Sequence, residues 1–241
     1  METEQQLFTG RALRALIIPL VLEQILGLTV GMADSIMVSS AGEAAVSGVS
    51  LVDSINILLV NTFISLSTGG AVVAAHRLGE KKKEAAQKTA DQLLLCVTWI
   101  ALLITIFAVA ANRFLLSAIF GKVDEEVMRN AEIYFYLIAL SFPFMGIYNA
   151  SAALSRAMGD SKITMLISVF MNVVNIVGNA VLILVFHLGV YGVALSTLFS
   201  RVLGALILFG IMRREDRELH YSRRITFAFD KDIIKNIMRI G

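Results

Sequence analysis

The sequence has few of the residues on which soluble enzymes and disulfide-rich proteins depend. Its 241 residues include one cysteine, two prolines and three histidines, and only 17% are charged. Cys96 alone cannot form an internal disulfide, and His76, His187 and His220 are too far apart in sequence to have metal-ligand spacing. Because soluble domains carry charge on about a quarter of their residues, an ordinary cytosolic protein is excluded. A net charge of only +2 gives no support to a nucleic-acid partner.

Long apolar runs occupy the places where a soluble protein would have charge. Hydrophobic residues make up 57% of the chain, and the mean hydropathy is +0.76. A bilayer core about 30 Å thick needs about 20 apolar residues per helix, and in lipid the backbone groups must be paired within the helix. We therefore predict an all-α membrane protein in which residues 1–213 form a six-transmembrane-helix bundle. The predicted spans are approximately 13–38, 46–76, 91–112, 130–155, 163–187 and 190–212.

Lysine and arginine fall mainly on one side of these spans. They lie before the first span, between the second and third, between the fourth and fifth, and after the sixth. Because short cytoplasmic loops collect Lys and Arg, both ends are predicted to be cytoplasmic in a multi-pass protein of the cell membrane. The run Lys81, Lys82 and Lys83 is explained by this tendency better than by binding of nucleic acid or anionic lipid.

Three acidic residues lie well inside the predicted spans, away from the first residues of each, and a charge at the bilayer centre costs about 2.5–3.5 kcal/mol. Glu23 and Asp34 are in the first span, and Asp53 is in the second. At about 100° per residue, Glu23 and Asp34 share one helix face about 16 Å apart. Asp53 is close enough to the start of its span to be hydrated at the interface. Asp34 is therefore the acid for which we most expect a functional role.

A second polar stripe lies in the fifth span, where Asn172, Asn175 and Asn179 recur at spacings of three and four. Such amides either join helices by hydrogen bonds or line a binding site. Depth favours the second role, because Asn175, Asn179 and Thr197 of the sixth span fall in the same outer half as Asp34. Carboxylate, amide and hydroxyl groups suit a proton or a sodium ion, so we predict a cation-coupling site at these four residues, with Asp34 as the candidate Na⁺ ligand. The secondary candidates are Glu23, Asp53 and Asn172.

Pro143 lies inside the fourth span. Proline removes one backbone hydrogen bond from a helix, so Pro143 predicts a kink that could act as a hinge. No serine, histidine, cysteine and acid are placed to act together, and no phosphate-binding glycine loop is present. We therefore expect neither an enzyme nor a cofactor beyond the coupling ion, H⁺ or Na⁺.

Several segments taken together resemble the amino-terminal lobe of the multidrug and toxic compound extrusion (MATE) family. They are IIPLVLEQILGLTVGMADSIMVSSAG, STGGAVVAAHRLGEKK, FPFMGIYNASAALSRAMGDSK, MNVVNIVGNAVLI and GVYGVALSTLFSR. The resemblance covers residues 10–241 and implies one lobe of a twelve-helix antiporter that exports cationic, amphipathic drugs in exchange for H⁺ or Na⁺. It also implies that Asp34, Asn175, Asn179 and Thr197 occupy the positions of the family's amino-lobe cation site. Some relatives have an acid where this chain has Asn179, which leaves the choice of ion open.

The segment after the sixth span resembles the entrance of the first. FDKDIIKNIMRIG mixes basic and apolar residues as GRALRALIIP does, so residues 214–241 are predicted to be a cytoplasmic inter-lobe linker and the start of a missing helix 7. The expected partners are the missing carboxy-terminal lobe, the lipid bilayer and small cationic substrates. Two alternatives remain: a lipid-linked oligosaccharide flippase, which should have a more cationic cavity than Arg201 alone provides, and a channel or other non-transporting membrane bundle.

Overall fold

A computed structural model of the chain describes residues 10–222 and 229–240. The described residues form a bundle of α-helices without strands. The helices are α1 (Gly10–Ser39), α2 (Glu43–Gly79), α3 (Lys83–Ala110), α4 (Asn112–Phe120), α5 (Glu125–Ala157), α6 (Ser161–Asn179), α7 (Gly189–Met212) and α8 (Lys231–Ile240). A π-helical segment, Ala180–Val185, continues α6.

Six of these helices are long and apolar enough to cross a membrane. They are α1, α2, α3, α5, α6 with its π-helical continuation, and α7. The predicted six-helix all-α membrane bundle is therefore confirmed. The short turns at 80–82 and 158–160, together with the chain after α7, lie at one end of the bundle, which we call the basic end.

The predicted spans leave residues 113–129 as a loop between the third and fourth spans, but this segment is not wholly a loop. Residues Asn112–Phe120 form α4, a short helix that buries Leu116 and packs against α5 and α3. The third span also ends at Ala110, two residues before the predicted boundary. The segment is too short to cross a bilayer, but a helix of this length can still bury one apolar side chain against its neighbours.

Helix α5 is at the centre of the bundle and packs against α2, α3 and α7. Its approach to α2 depends on Gly48, because a Cβ there would lie 2.9 Å from the backbone nitrogen of Ala131. Small residues let helix backbones approach closely in membranes, where van der Waals contact drives association. Helix α1, in contrast, packs mainly on α6, and many of its large apolar side chains, such as Ile25 and Met32, are exposed.

Pro143 does not interrupt α5, which is continuous from Glu125 to Ala157. Proline lacks an N–H, so the carbonyl of Ala139, four residues earlier, loses its helical donor. The hydroxyl of Thr105 on α3 donates a hydrogen bond to that carbonyl at 2.9 Å, and Thr105 is buried. The backbone group that Pro143 frees is therefore paired with a neighbouring helix. The hinge role of Pro143 stays a prediction.

The chain after α7 folds back across the basic end. Tyr221 is buried, stacks on Phe209 with ring centroids 5.5 Å apart, and shares a 3.1 Å hydrogen bond with Ser151 of α5. Burial raises the pKa of the Tyr221 phenol. Arg217 bonds to Asp160 in the turn between α5 and α6. This part of the predicted linker is therefore packed against the lobe.

Helix α8 is amphipathic and lies against α2 and α3. It buries Ile233 and Ile237. Lys88 on α3 forms a 2.6 Å ion pair with Asp230, just before α8, and the ammonium holds the pKa of that carboxyl below its ordinary value. That this segment begins a seventh membrane helix stays a prediction.

The Thr105 contact leads to a stability prediction. Thr105→Val keeps the side-chain shape but removes the donor, leaving the Ala139 carbonyl unpaired, so we expect a loss of about 1 kcal/mol in the free energy of unfolding. Thermal unfolding of the purified protein in detergent measures it. Thr105→Ser retains the hydroxyl and is the control. Equal stability of the Val and Ser variants would show that the Thr105 bond does not stabilise the helix at Pro143.

Candidate cation-binding site

A cavity of about 740 Å³ lies in the half of the bundle away from the basic end. Helices α1, α2, α5, α6 and α7 all contribute to its wall. The charged residues that line it are Asp34, Asp53 and Arg201. A cavity of this size is within the range of small-molecule sites, and its polar groups converge from five helices.

Asp34 projects from α1 and is joined to α6 by Asn179. The Nδ2 group of Asn179 donates a hydrogen bond to Asp34 Oδ1. Asn179 is fully buried, and within the described residues its Oδ1 atom has no hydrogen-bond partner. A buried acceptor without a donor is costly. The arrangement therefore places an unused amide oxygen beside a carboxylate, and rotation of the amide could direct that oxygen towards a bound cation.

Asn175 and Thr197 extend this connection to α7. Asn175 Nδ2 donates to Thr197 Oγ1 at 3.1 Å, and Asn179 Nδ2 lies 3.4 Å from Asn175 Oδ1. Both Asn175 and Thr197 are buried. The structure therefore brings together the four residues that depth alone suggested, and we call this group the Asp34 site. Its binding of a cation stays a prediction.

The local backbone of α6 explains how the amides reach their partners. Gly178 allows α7 to come close, because a Cβ there would collide with Ser196. Ser196 in turn donates to the backbone carbonyl of Asn175 at 2.7 Å. Asn179 is the last α-helical residue before the π-helical segment Ala180–Val185. π-Helical turns frequently occur at functional sites.

Asp53 belongs to the same cavity, on its α2 side. The phenol of Tyr134 on α5 donates a 3.1 Å hydrogen bond to Asp53 Oδ1, and Tyr134 is only 2% exposed. Asp53 itself is half-buried on the cavity wall, and its hydration at the membrane interface stays a prediction. Tyr134 was not foreseen, because nothing in the sequence shows which face of α5 it occupies.

Arg201 on α7 is held in the cavity by neutral partners. Its Nη1 atom donates to Ser141 Oγ at 2.7 Å, and Nη2 donates to Asn56 Oδ1 at 3.2 Å. It lines the same cavity as Asp34 and Asp53. The sequence marked Arg201 as a cation within a span but assigned it no role. The signal that could have found one is the presence of acids in the first two spans, since buried charges are generally paired.

The secondary candidates divide between two places. Asn172 lines the cavity, and within the described residues its Nδ2 atom has no hydrogen-bond partner. Glu23 does not join the Asp34 site. Its carboxylate lies 3.6 Å from Arg156 and accepts a 3.4 Å hydrogen bond from Tyr148, so it connects α1 to α5 nearer the basic end. Glu23 is thus a helix contact separate from the cavity.

Comparison with known proteins identifies relatives of this arrangement. The MatE family model matches residues 19–181. The chain is 28% identical to the uncharacterized transporter YisQ of Bacillus subtilis over 92% of its own length and 49% of the relative. It is 26% identical to the probable multidrug resistance protein NorM of Thermotoga maritima, covering 94% of this chain and 49% of NorM. The chain therefore spans about half the length of the curated relatives it matches.

Solved structures of transporters also match nearly all of this chain and about half of their own length. An outward-facing structure of a MATE-family multidrug resistance transporter matches with a TM-score of 0.86 and 25% identity over 95% of this chain and 50% of the other. An inward-facing structure matches with a TM-score of 0.81 and 25% identity, over 94% and 52%. A MOP-superfamily transporter from Pyrococcus furiosus, described as having a binding pocket of reverse polarity that suggests a different function, matches with a TM-score of 0.86 at 25% identity over 95% and 50%.

The contact between Glu23 and Arg156 predicts how α1 is held at the basic end. In Arg156→Gln the carboxylate loses its cation, so we expect α1 to separate from α5 there. Spin labels at the exposed positions Ile18 and Ala157 should report a longer and broader distance distribution than in the parent.

A matched control is Arg113→Gln, which breaks the pair of the exposed Arg113 with the half-buried Glu132 at the other end of the bundle. An ion pair with a solvent-exposed partner contributes little, so this variant should leave the Ile18 to Ala157 distance unchanged. An unchanged distance in Arg156→Gln would show instead that the Glu23 contact does not hold α1.

Proposed function

The chain belongs to the MatE family, and we propose that it forms the amino-terminal lobe of a secondary active antiporter that exports cationic, amphipathic drugs or toxic compounds in exchange for H⁺ or Na⁺. Both ends are proposed to be cytoplasmic, in agreement with the basic end of the bundle. Since the chain spans about half of its relatives, the proposed activity includes a carboxy-terminal lobe as partner.

The observation that carries this proposal is the hydrogen bond between Asp34 and Asn179 at the edge of the cavity. A proton on Asp34 removes its negative charge, and a sodium ion competes for its oxygens. Either event changes what Asn179 can bond to and therefore alters the contact between α1 and α6. Because α1 packs mainly on α6, this contact is well placed to bias the position of α1. Linkage then requires that ion and substrate favour different positions.

The rest of the cavity wall suits an amphipathic cation. Met32, Ile36, Ile57 and Met171 provide apolar surface beside the two carboxylates. Methionine side chains adapt to ligands of different shape. An apolar body can contact this surface while its positive group approaches an acid, which is the chemistry expected of a site that accepts several organic cations.

A lipid-linked oligosaccharide flippase is less well supported. The pyrophosphate of such a substrate needs cations, whereas the cavity is lined by two carboxylates and one guanidinium. A channel would give flux without ion coupling, and a non-transporting bundle would give no flux. Vesicles containing the full-length gene product, tested separately under a pH gradient and a sodium gradient, distinguish these functions: gradient-driven uptake of ethidium supports antiport, and equal flux without a gradient supports a channel.

Asp34→Asn tests the coupling residue. The amide keeps the size of the side chain but cannot gain a proton or balance a cation, so we expect gradient-driven ethidium transport to fall at least about tenfold while membrane insertion is retained. Asp124→Asn, which changes an exposed acid at the start of α5, is the control. Normal transport by the Asp34 variant would remove Asp34 from the mechanism.

Asn175→Ala and Asn179→Ala distinguish a coupling role from simple helix joining. If the amides serve the ion, both variants should raise the ion concentration needed for half-maximal transport while their unfolding temperatures stay close to the parent's. Asn172→Ala is a useful comparison for stability, since the Nδ2 group it removes has no hydrogen-bond partner in the described residues. Loss of expression in both variants, with normal coupling in any protein that remains, would favour the joining role.

A further inference from the structure

We propose that Asp53 and Tyr134 form a second cation-binding position, the Asp53 site, and that Arg201 limits the cavity to one bound cation shared between this site and the Asp34 site. The proposal rests on the proposed function, because it assigns the coupling ion to Asp34 and the substrate's positive group to Asp53. It adds a reason why the two cations exchange and do not bind together.

The Asp53 site is a separate place on the cavity wall. Asp53 comes from α2 and Tyr134 from α5, whereas the Asp34 site is built from α1, α6 and α7. The buried phenol fixes one carboxylate oxygen of Asp53, and its own oxygen can still accept a hydrogen bond. Ile57, one helical turn along α2 from Asp53, lines the same cavity and is exposed to it. A positive group at Asp53 would therefore have apolar surface beside it.

Arg201 is placed to act on both acids without occupying either. Its two hydrogen bonds go to the neutral side chains of Ser141 and Asn56. Among the described residues, no ion pair within 4.0 Å joins Arg201 to Asp34 or Asp53. Both carboxylates are therefore left for other cations, while the guanidinium lines the same cavity and its charge acts across it.

The charge of the cavity then sets the number of cations it holds. When both carboxyls are ionised, the charged groups that line the cavity among the described residues, two carboxylates and one guanidinium, leave a single negative charge. One monovalent cation neutralises the cavity, and a second would make it positive in surroundings of low dielectric constant, where uncompensated charge is costly. A cation at the Asp34 site therefore weakens binding at the Asp53 site, and the reverse holds equally by linkage. Because one net negative charge serves both sites, a cation that binds at one site has to displace the cation at the other.

The test measures equilibrium binding of tetraphenylphosphonium, a permanent cation, to the purified full-length protein in detergent. Na⁺ is titrated at about pH 9, where carboxyls are ionised, and H⁺ is titrated separately. In the parent protein we expect the apparent Kd of tetraphenylphosphonium to rise as the concentration of the coupling ion, Na⁺ or H⁺, is increased. The rise should not reach a plateau, because the two cations exclude each other.

Arg201→Gln should change both the affinity and the form of the competition. The cavity gains a second negative charge, so tetraphenylphosphonium should bind about tenfold more tightly, and in the Na⁺ titration its apparent Kd should reach a plateau because both cations fit. Asp53→Asn removes the remaining net charge and should weaken binding about tenfold or more. The double variant Arg201→Gln with Asp53→Asn returns the net charge to its original value and should restore competition without a plateau.

Two control variants separate charge from structure. Arg201→Lys keeps the positive charge and should behave like the parent, and Arg213→Gln changes an exposed cation outside the cavity and should have no effect. Should Arg201→Gln fail to fold, Asp53→Asn alone decides, since undiminished binding would overturn the proposal.

Two other results would overturn the one-cation limit without contradicting the antiporter function. One is competition without a plateau in Arg201→Gln, and the other is a double variant that behaves like Asp53→Asn. A parent protein that binds no tetraphenylphosphonium would contradict the one-cation limit, whereas the exporter function is decided separately by ethidium transport under a gradient.

Discussion

A carboxylate inside a membrane bundle has to be solvated by the protein, and the organisation of this lobe follows from that requirement. Lipid offers no hydrogen bonds, so each acid in a span must find a donor or a cation on a neighbouring helix. Asp34 accepts a hydrogen bond from an amide on α6, and Asp53 accepts one from a phenol on α5. Glu23 contacts a guanidinium and a phenol, both on α5. Each acid therefore also joins a pair of helices, and any change in its charge alters how that pair is held.

Helix α1 is the element most affected by this coupling of charge and packing. Most of its large apolar side chains that the structure describes are exposed, and among the described residues its polar contacts with other helices are at Asp34 and Glu23, about 16 Å apart along the helix. Helix α5, in contrast, is buried among α2, α3 and α7, and Thr105 pairs the one carbonyl that Pro143 frees. The lobe thus combines a firmly packed centre with a peripheral helix fixed at two charged points, so a cation at one of them acts on the helix that is least constrained.

Much of the fold could be predicted from the sequence, because hydropathy and cation placement depend on local composition. The sequence also predicted the depth of four site residues in the membrane, because the helical rise per residue converts a position in a span into a distance from the end of that span. These residues are Asp34, Asn175, Asn179 and Thr197. Depth does not give the neighbours of a helix. For that reason Tyr134 and the Arg201 contacts were missed, and Asp53 was left between the interface and the interior. Contacts such as Thr105 with Ala139 depend on which helices meet, and no single span contains that information.

Arg201 changes the net charge of the cavity without forming an ion pair with either acid. Had the guanidinium paired directly with Asp34 or Asp53, one acid would be occupied and the cavity would offer a single binding position. Because Ser141 and Asn56 hold it instead, it lowers the negative charge that both acids present while leaving each of them open. In a medium of low dielectric constant that influence extends across the cavity and does not end at contact distance. Because neutral side chains hold Arg201, the Asp34 site and the Asp53 site both stay open, and cations at the two sites compete for the one net negative charge of the cavity.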